Sequence, residues 1–91
     1  MLFGWDAEKA KKNLAKHGVS FDEAATIFGD LLAVTIEDPA HSREEQRFLT
    51  TGLSKAQRLL IVTHSDTEVR MRIISARRTT RREMKQYESG D

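Results

Sequence analysis

An α+β domain is predicted: two N-terminal helices, a four-stranded antiparallel sheet in meander order, and a short C-terminal helix. Three observations predict it. Up to Phe28 apolar residues recur three and four apart, the helical period. From Leu31 they alternate or run continuously, the strand period. Turn residues then cut that stretch into hairpins. Runs of helices and strands kept apart put the helices on one face of the sheet and leave the other free to bind. The chain has 91 residues, enough for one hydrophobic core and too few for two, so residues 1–91 are read as one domain.

The elements follow in order. Asp6 can cap a first helix whose apolar positions are Ala7, Ala10 and Leu14. Lys9, Asn13 and His17 form a second stripe on it, and Gly18 stands where a left-handed cap ends a helix. Ser20 and Glu23 make a capping box for the second helix, which places Phe21, Ala24, Ala25 and Phe28 on one face until Gly29-Asp30 stops it. LLAVTIED is the first strand, closed by Pro39 and the loop PAHSREE. QRFLTTGL and QRLLIVTH are the second and third. Ser65-Asp66-Thr67 is a turn signal before the last strand, EVRMRIISA. Strict alternation there puts Val69, Met71, Ile73 and Ser75 on one side and Arg70, Arg72, Ile74 and Ala76 on the other. Thr80 and Glu83 form a third capping box for a helix to about Glu88, with only Met84 and Tyr87 as apolar contacts, so it leans on one edge of the sheet.

Composition removes several function classes. There is no cysteine, so no disulfide scaffold, thiolate metal site or cysteine nucleophile exists. No apolar run exceeds the four residues of Leu59–Val62, far below the ~20 residues of a membrane span. No signal peptide is visible, and the absence of cysteine suits the cytoplasm. His17, His41 and His64 lack ligand spacing, so neither a metal nor a cofactor is expected.

Charge is informative by position. Residues 1–53 carry six Lys/Arg against nine Asp/Glu, and residues 54–91 carry nine against five. Residues 70–85 hold seven bases and one acid, Glu83. Such a patch suits a polyanion, a docked acidic partner, or simply a solvated face. Arg70 and Arg72 stand out, because two guanidiniums ~7 Å apart on one strand face need a counter-charge, internal or bound. Metal-free RNA cleavage requires this kind of inventory. One group removes the 2′-hydroxyl proton, another protonates the leaving 5′-oxygen, and cations hold the phosphoryl charge. Arginine matches phosphate geometry and stays ionised. His41, Glu45 and Tyr87 are the candidate proton carriers.

The opening FGWDAEKAKKNLAKHGVSFDEAATIF, the loop DPAHSREEQRF and the close RIISARRTTRREMKQY resemble the BrnT toxin family, in the same order over roughly residues 3–87. One departure is Gln46 directly before Arg47, where the family favours an acid; Glu44 and Glu45 precede it here. The resemblance implies a RelE-like ribonuclease fold in a bacterial type II toxin–antitoxin system. It further implies metal-independent action on RNA, translation arrest, neutralisation by a BrnA-like antitoxin, and binding of the complex to its own promoter DNA through that antitoxin. By position in the motif, Arg77 and Arg47 stabilise phosphate charge, His41 carries the proton, and Glu45 and Tyr87 stand behind it. Arg70, Arg72 and Arg78 contact the RNA backbone. Lys9 and His17, with Asn13 between them, either face RNA or lock the helix to the sheet. The competing readings are a non-catalytic RNA- or protein-binding module of the same fold, which needs the arginines but no proton carriers, and a DNA-reading regulator, for which no helix-turn-helix signal exists.

Overall fold

A computed structural model describes residues 2–38 and 46–89. Among these, strand β1 is Leu2–Gly4, helix α1 Ala7–His17, helix α2 Phe21–Ala25, followed by a 3₁₀ turn over Thr26–Gly29. Strands β2 (Val34–Glu37), β3 (Phe48–Leu53), β4 (Leu59–Asp66) and β5 (Arg70–Arg78) follow, and helix α3 (Arg81–Ser89) closes the order. No helix among the described residues is long and apolar enough to cross a membrane.

The fold class is α+β, with one correction. The sheet has five strands in the order β1-β5-β4-β3-β2. The four predicted strands form the antiparallel meander, and β1 adds to its open side parallel to β5. Three residues are too short for periodicity to mark, and the pairing of Leu2 with Arg70 is visible only in three dimensions.

The helix ends follow their sequence signals. Asp6 accepts the N–H groups of Glu8 and Lys9, and Gly18 takes φ 68°, a left-handed value that glycine adopts without penalty. Ser20 Oγ accepts the Glu23 N–H at 3.0 Å, but the Glu23 carboxylate turns outward to Ser54 and Arg58 instead of closing the box. Arg58 holds that carboxylate below the usual glutamate range. The Thr80–Glu83 box is complete in both directions, at 2.8 and 3.2 Å.

Helices α1 and α2 cover one face of the sheet, here the inner face. The core is Val19, Phe21, Ala24, Ile27, Leu60, Val62, Ile73 and Ala76. Gly52 lies beneath the 3₁₀ turn, where a Cβ would come within 3.1 Å of Ile27 and Ala33. The contact of α1 differs from the amphipathic expectation. Leu14 is half-exposed, whereas Asn13 is buried. Its Nδ2 donates to the carbonyls of Val19 (2.9 Å) and Ala76 (2.8 Å), and its Oδ1 accepts the Ala76 N–H (3.0 Å). Asn13 thus acts as a polar peg joining helix and strand.

The outer face is not wholly open. Instead of leaning on an edge, α3 lies over part of it. Glu83, Gln86 and Tyr87 line a cavity of about 280 Å³ with Val34, Ile36, Leu49, Thr51 and Ile61. No residue of α3 is buried. Next to it, Leu31, Leu32, Val34 and Ile36 are exposed on and before the rim strand β2.

Candidate active site

Strand registry decides which arginines meet. Ala76 pairs with Val62 and Ile73 with His64, all on the inner face. Thr63 pairs with Ser75, so a register shift falls between Thr63 and His64 and Ile74 is the extra residue of a β-bulge. The bulge resets the alternation. Arg77, an odd number of residues from both Arg70 and Arg72, comes to share their outer face, and Arg78 falls on the inner one opposite Leu60. Strict alternation, which assumed no bulge, put Ala76 with Arg70 and Arg72; the structure puts it in the core.

Arg72 and Met71 pair with Ser65 and Asp66. Phe48 pairs with His64, so Arg47, one residue earlier, is level with Ser65. Arg47, Ser65 and Arg72 therefore form a row across three strands, with Gly4 of β1 next to Arg72. The Arg70 side chain runs over Gly4, where a Cβ would meet its Cδ at 3.2 Å. Arg77 pairs with Ile61, four residues of β4 away from Ser65, or roughly 13 Å along the strand.

Arg77 is aimed by α3. Its Nη1 and Nη2 donate to the two carboxylate oxygens of Glu83, each at 2.9 Å, and Nη1 also reaches the Arg78 carbonyl at 3.2 Å. This is the bidentate geometry that arginine offers a phosphate. Chiefly through Arg77, Glu83 is held down to about 2, with the Thr80 N–H helping. Such a carboxylate stays ionised and is a poor base, so its role is the counter-charge that the basic stretch demands. The Arg77 side chain remains 43% exposed and can still reach a ligand.

The other candidates separate. The Tyr87 hydroxyl donates to Asp30 Oδ2, and this bond above all pushes its pKa up to about 12. Asp30 also accepts the N–H groups of Leu32 (2.9 Å) and Leu53 (2.8 Å) and is held below its ordinary value. Tyr87 is thus a strut between α3 and the 3₁₀ turn. Lys9 is exposed and His17 half-buried on α1, so with Arg78 they belong to the helix-covered side, away from Arg70, Arg72 and Arg77. His41 and Glu45 lie outside the described residues. The Asp38 N–H donates to the Arg47 carbonyl at 2.8 Å.

Sequence reasoning passed over His64. Its ring is 1% exposed, edge-on to Phe28 at 5.1 Å and stacked on Phe48 at 5.8 Å. Its Nδ1 is 2.7 Å from Asp66 Oδ1, its Nε2 is 2.7 Å from Thr50 Oγ1, and Thr50 is 2.7 Å from Thr35 Oγ1. Both ring nitrogens are thus engaged, Nδ1 by a carboxylate and Nε2 by a hydroxyl that can either donate or accept. The signal was present: His64 has the parity of the core residues Leu60 and Val62.

A family model described as the ribonuclease toxin BrnT of type II toxin–antitoxin systems matches residues 5–83. The chain belongs to the BrnT toxin family. The crystal structure of the Brucella abortus ribonuclease toxin BrnT is similar in fold, with a TM-score of 0.64 at 19% identity, covering 89% of this chain and 100% of that one. No curated protein sequence matches. For a BrnT protein, an RNA substrate and a protein antitoxin are the partners that the family description implies.

Proposed function

We propose that this chain is an endoribonuclease that cuts RNA without a metal ion and arrests translation in the cytoplasm. A BrnA-like antitoxin neutralises it, and the complex binds its own promoter DNA through the antitoxin. The observation that carries the catalytic reading is the bulge in β5. It gathers Arg70, Arg72 and Arg77 on the outer face, with Arg47 in line with Arg72. An array of fixed cations suits the charge that grows on the phosphoryl oxygens.

Arg77 is the catalytic cation, pre-aimed by Glu83, and the phosphate displaces that carboxylate from its guanidinium. Arg47 and Arg72 hold the backbone on one side, with Arg70 beyond them. The proton carriers in this reading are His41 and Glu45. Tyr87, tied to Asp30, supports α3 and moves no proton in this scheme. One carrier takes the 2′-hydroxyl proton as O2′ attacks phosphorus. The P–O5′ bond breaks, and the second carrier protonates O5′. The products are a 2′,3′-cyclic phosphate and a 5′-hydroxyl.

The test is incubation of the pure protein with single-stranded RNA and a chelator. Cyclic or 3′-phosphate ends are expected, with loss of cleavage and of growth arrest in Arg77→Ala. Intact RNA that stays bound would favour the non-catalytic module. Full activity of Arg77→Ala would remove that residue from the site.

A further inference from the structure

We propose that His64 is a positioning residue: buried on the inner face, it fixes the backbone from which Arg47 and Arg72 project on the outer one. This rests on the reading of the outer face as an RNA site, and it assigns a function to a residue that touches no RNA. Each member of the outer row has a chain neighbour clamped in the His64 cluster. Arg47 precedes Phe48, whose ring stacks on His64. Ser65 follows His64 itself. Arg72 precedes Ile73, the cross-strand partner of His64 and 1% exposed. The row crosses the sheet where β5 bulges, so the regular ladder there is interrupted and side-chain anchors must hold the backbone.

The anchors are directional. Asp66 ties the ring to the end of β4, Thr50 ties it to β3, and Thr35 extends the chain to β2. Phe28 closes the ring from the 3₁₀ turn. Packing alone would need only an apolar side chain of similar size. A buried imidazole with both nitrogens bonded fixes rotation as well as position. Successive strand residues point to opposite faces, so a tilt of the backbone at Phe48 or Ile73 tilts the arginine that precedes it.

His64→Leu keeps an apolar side chain between Phe28 and Phe48 and removes both hydrogen bonds. Thr50→Val removes one of them with little change in volume and serves if the first variant does not fold. Binding of a fluorescein-labelled 12-nucleotide single-stranded RNA is measured for each variant, for the Arg47→Ala/Arg72→Ala protein, and for that protein carrying each variant in addition. His64→Leu is expected to weaken binding about fivefold in the wild-type background and to add nothing once both Arg47 and Arg72 are alanine. Multiplying effects, or no effect of a folded His64→Leu, overturn the proposal. A second readout needs no RNA. Amide exchange at Arg47, Ser65 and Arg72 is expected to rise at least tenfold in either variant, while Leu60 and Val62 stay unchanged. Unchanged exchange in the row overturns the proposal whether or not RNA binds. Failure of the wild-type protein to bind RNA overturns instead the reading of the face, and exchange alone then decides whether His64 holds the row.

Discussion

Replacing Asn13 with alanine tests whether α1 is held by a polar peg or by its apolar stripe. Asn13 is 7% exposed and makes three hydrogen bonds to backbone groups, one to Val19 and two to Ala76. Truncation leaves the Ala76 N–H and two carbonyls in a space that water does not readily enter. An orphaned buried group costs about 1–3 kcal/mol, the N–H more than a carbonyl with a second lone pair. The sum is about 3–5 kcal/mol, a large share of the ~5–15 kcal/mol that holds an average domain folded. At ~3 kcal/mol the melting temperature should fall by roughly 12–24 °C for a chain of this size. Urea unfolding followed by circular dichroism gives the free-energy difference directly. Leu14→Ala is the control: at 52% exposure it should change stability by less than about 0.5 kcal/mol. A loss below ~1 kcal/mol in Asn13→Ala, or a larger loss in Leu14→Ala, would refute the account of how this helix docks.

Other outcomes follow from the ionisable groups. Glu83 titrates at about 2 when folded, against ~4.3 in an unfolded chain, so its contribution is complete above pH ~5 and is lost as pH falls towards 2. Because the pair is partly exposed, this amounts to only ~1 kcal/mol. Stability measured from pH 6 to 2 should decline less steeply in Glu83→Gln, and parallel curves would show that the pair contributes nothing. Tyr87 is the only tyrosine, so ultraviolet absorbance reads its ionisation without overlap. Its midpoint should lie near 12 in the wild type and move back towards 10 in Asp30→Asn; a wild-type midpoint at 10 would mean that the strut is not formed.

Much of the architecture was legible because local chemistry and packing agree. Asp6, Gly18, Ser20 and the Thr80–Glu83 pair cap the helices that they announce. The four long strands lie where alternation put them. What could not be read depends on contacts remote in sequence. β1 exists only because β5 offers it an edge, and the bulge exists because burying Met71, Ile73 and Ala76 together requires one extra residue between Ile73 and Ala76. That single residue exchanges Arg77 for Arg78 in the outer set, so the four-arginine grouping was partly readable and its membership was not. Asp30 looked like a helix stop, yet it joins the 3₁₀ turn, β3 and α3.

The rim strand β2 has a colloidal consequence. Among the described residues β2 is the last strand of the sheet, and the leucines, valine and isoleucine on and before it face water, so it offers a template on which other chains can stack. Concentrated solutions of the isolated protein therefore have a built-in route to sticking together. A single lysine on that rim, at Ile36, would raise solubility without entering either the helix-covered core or the row of guanidiniums.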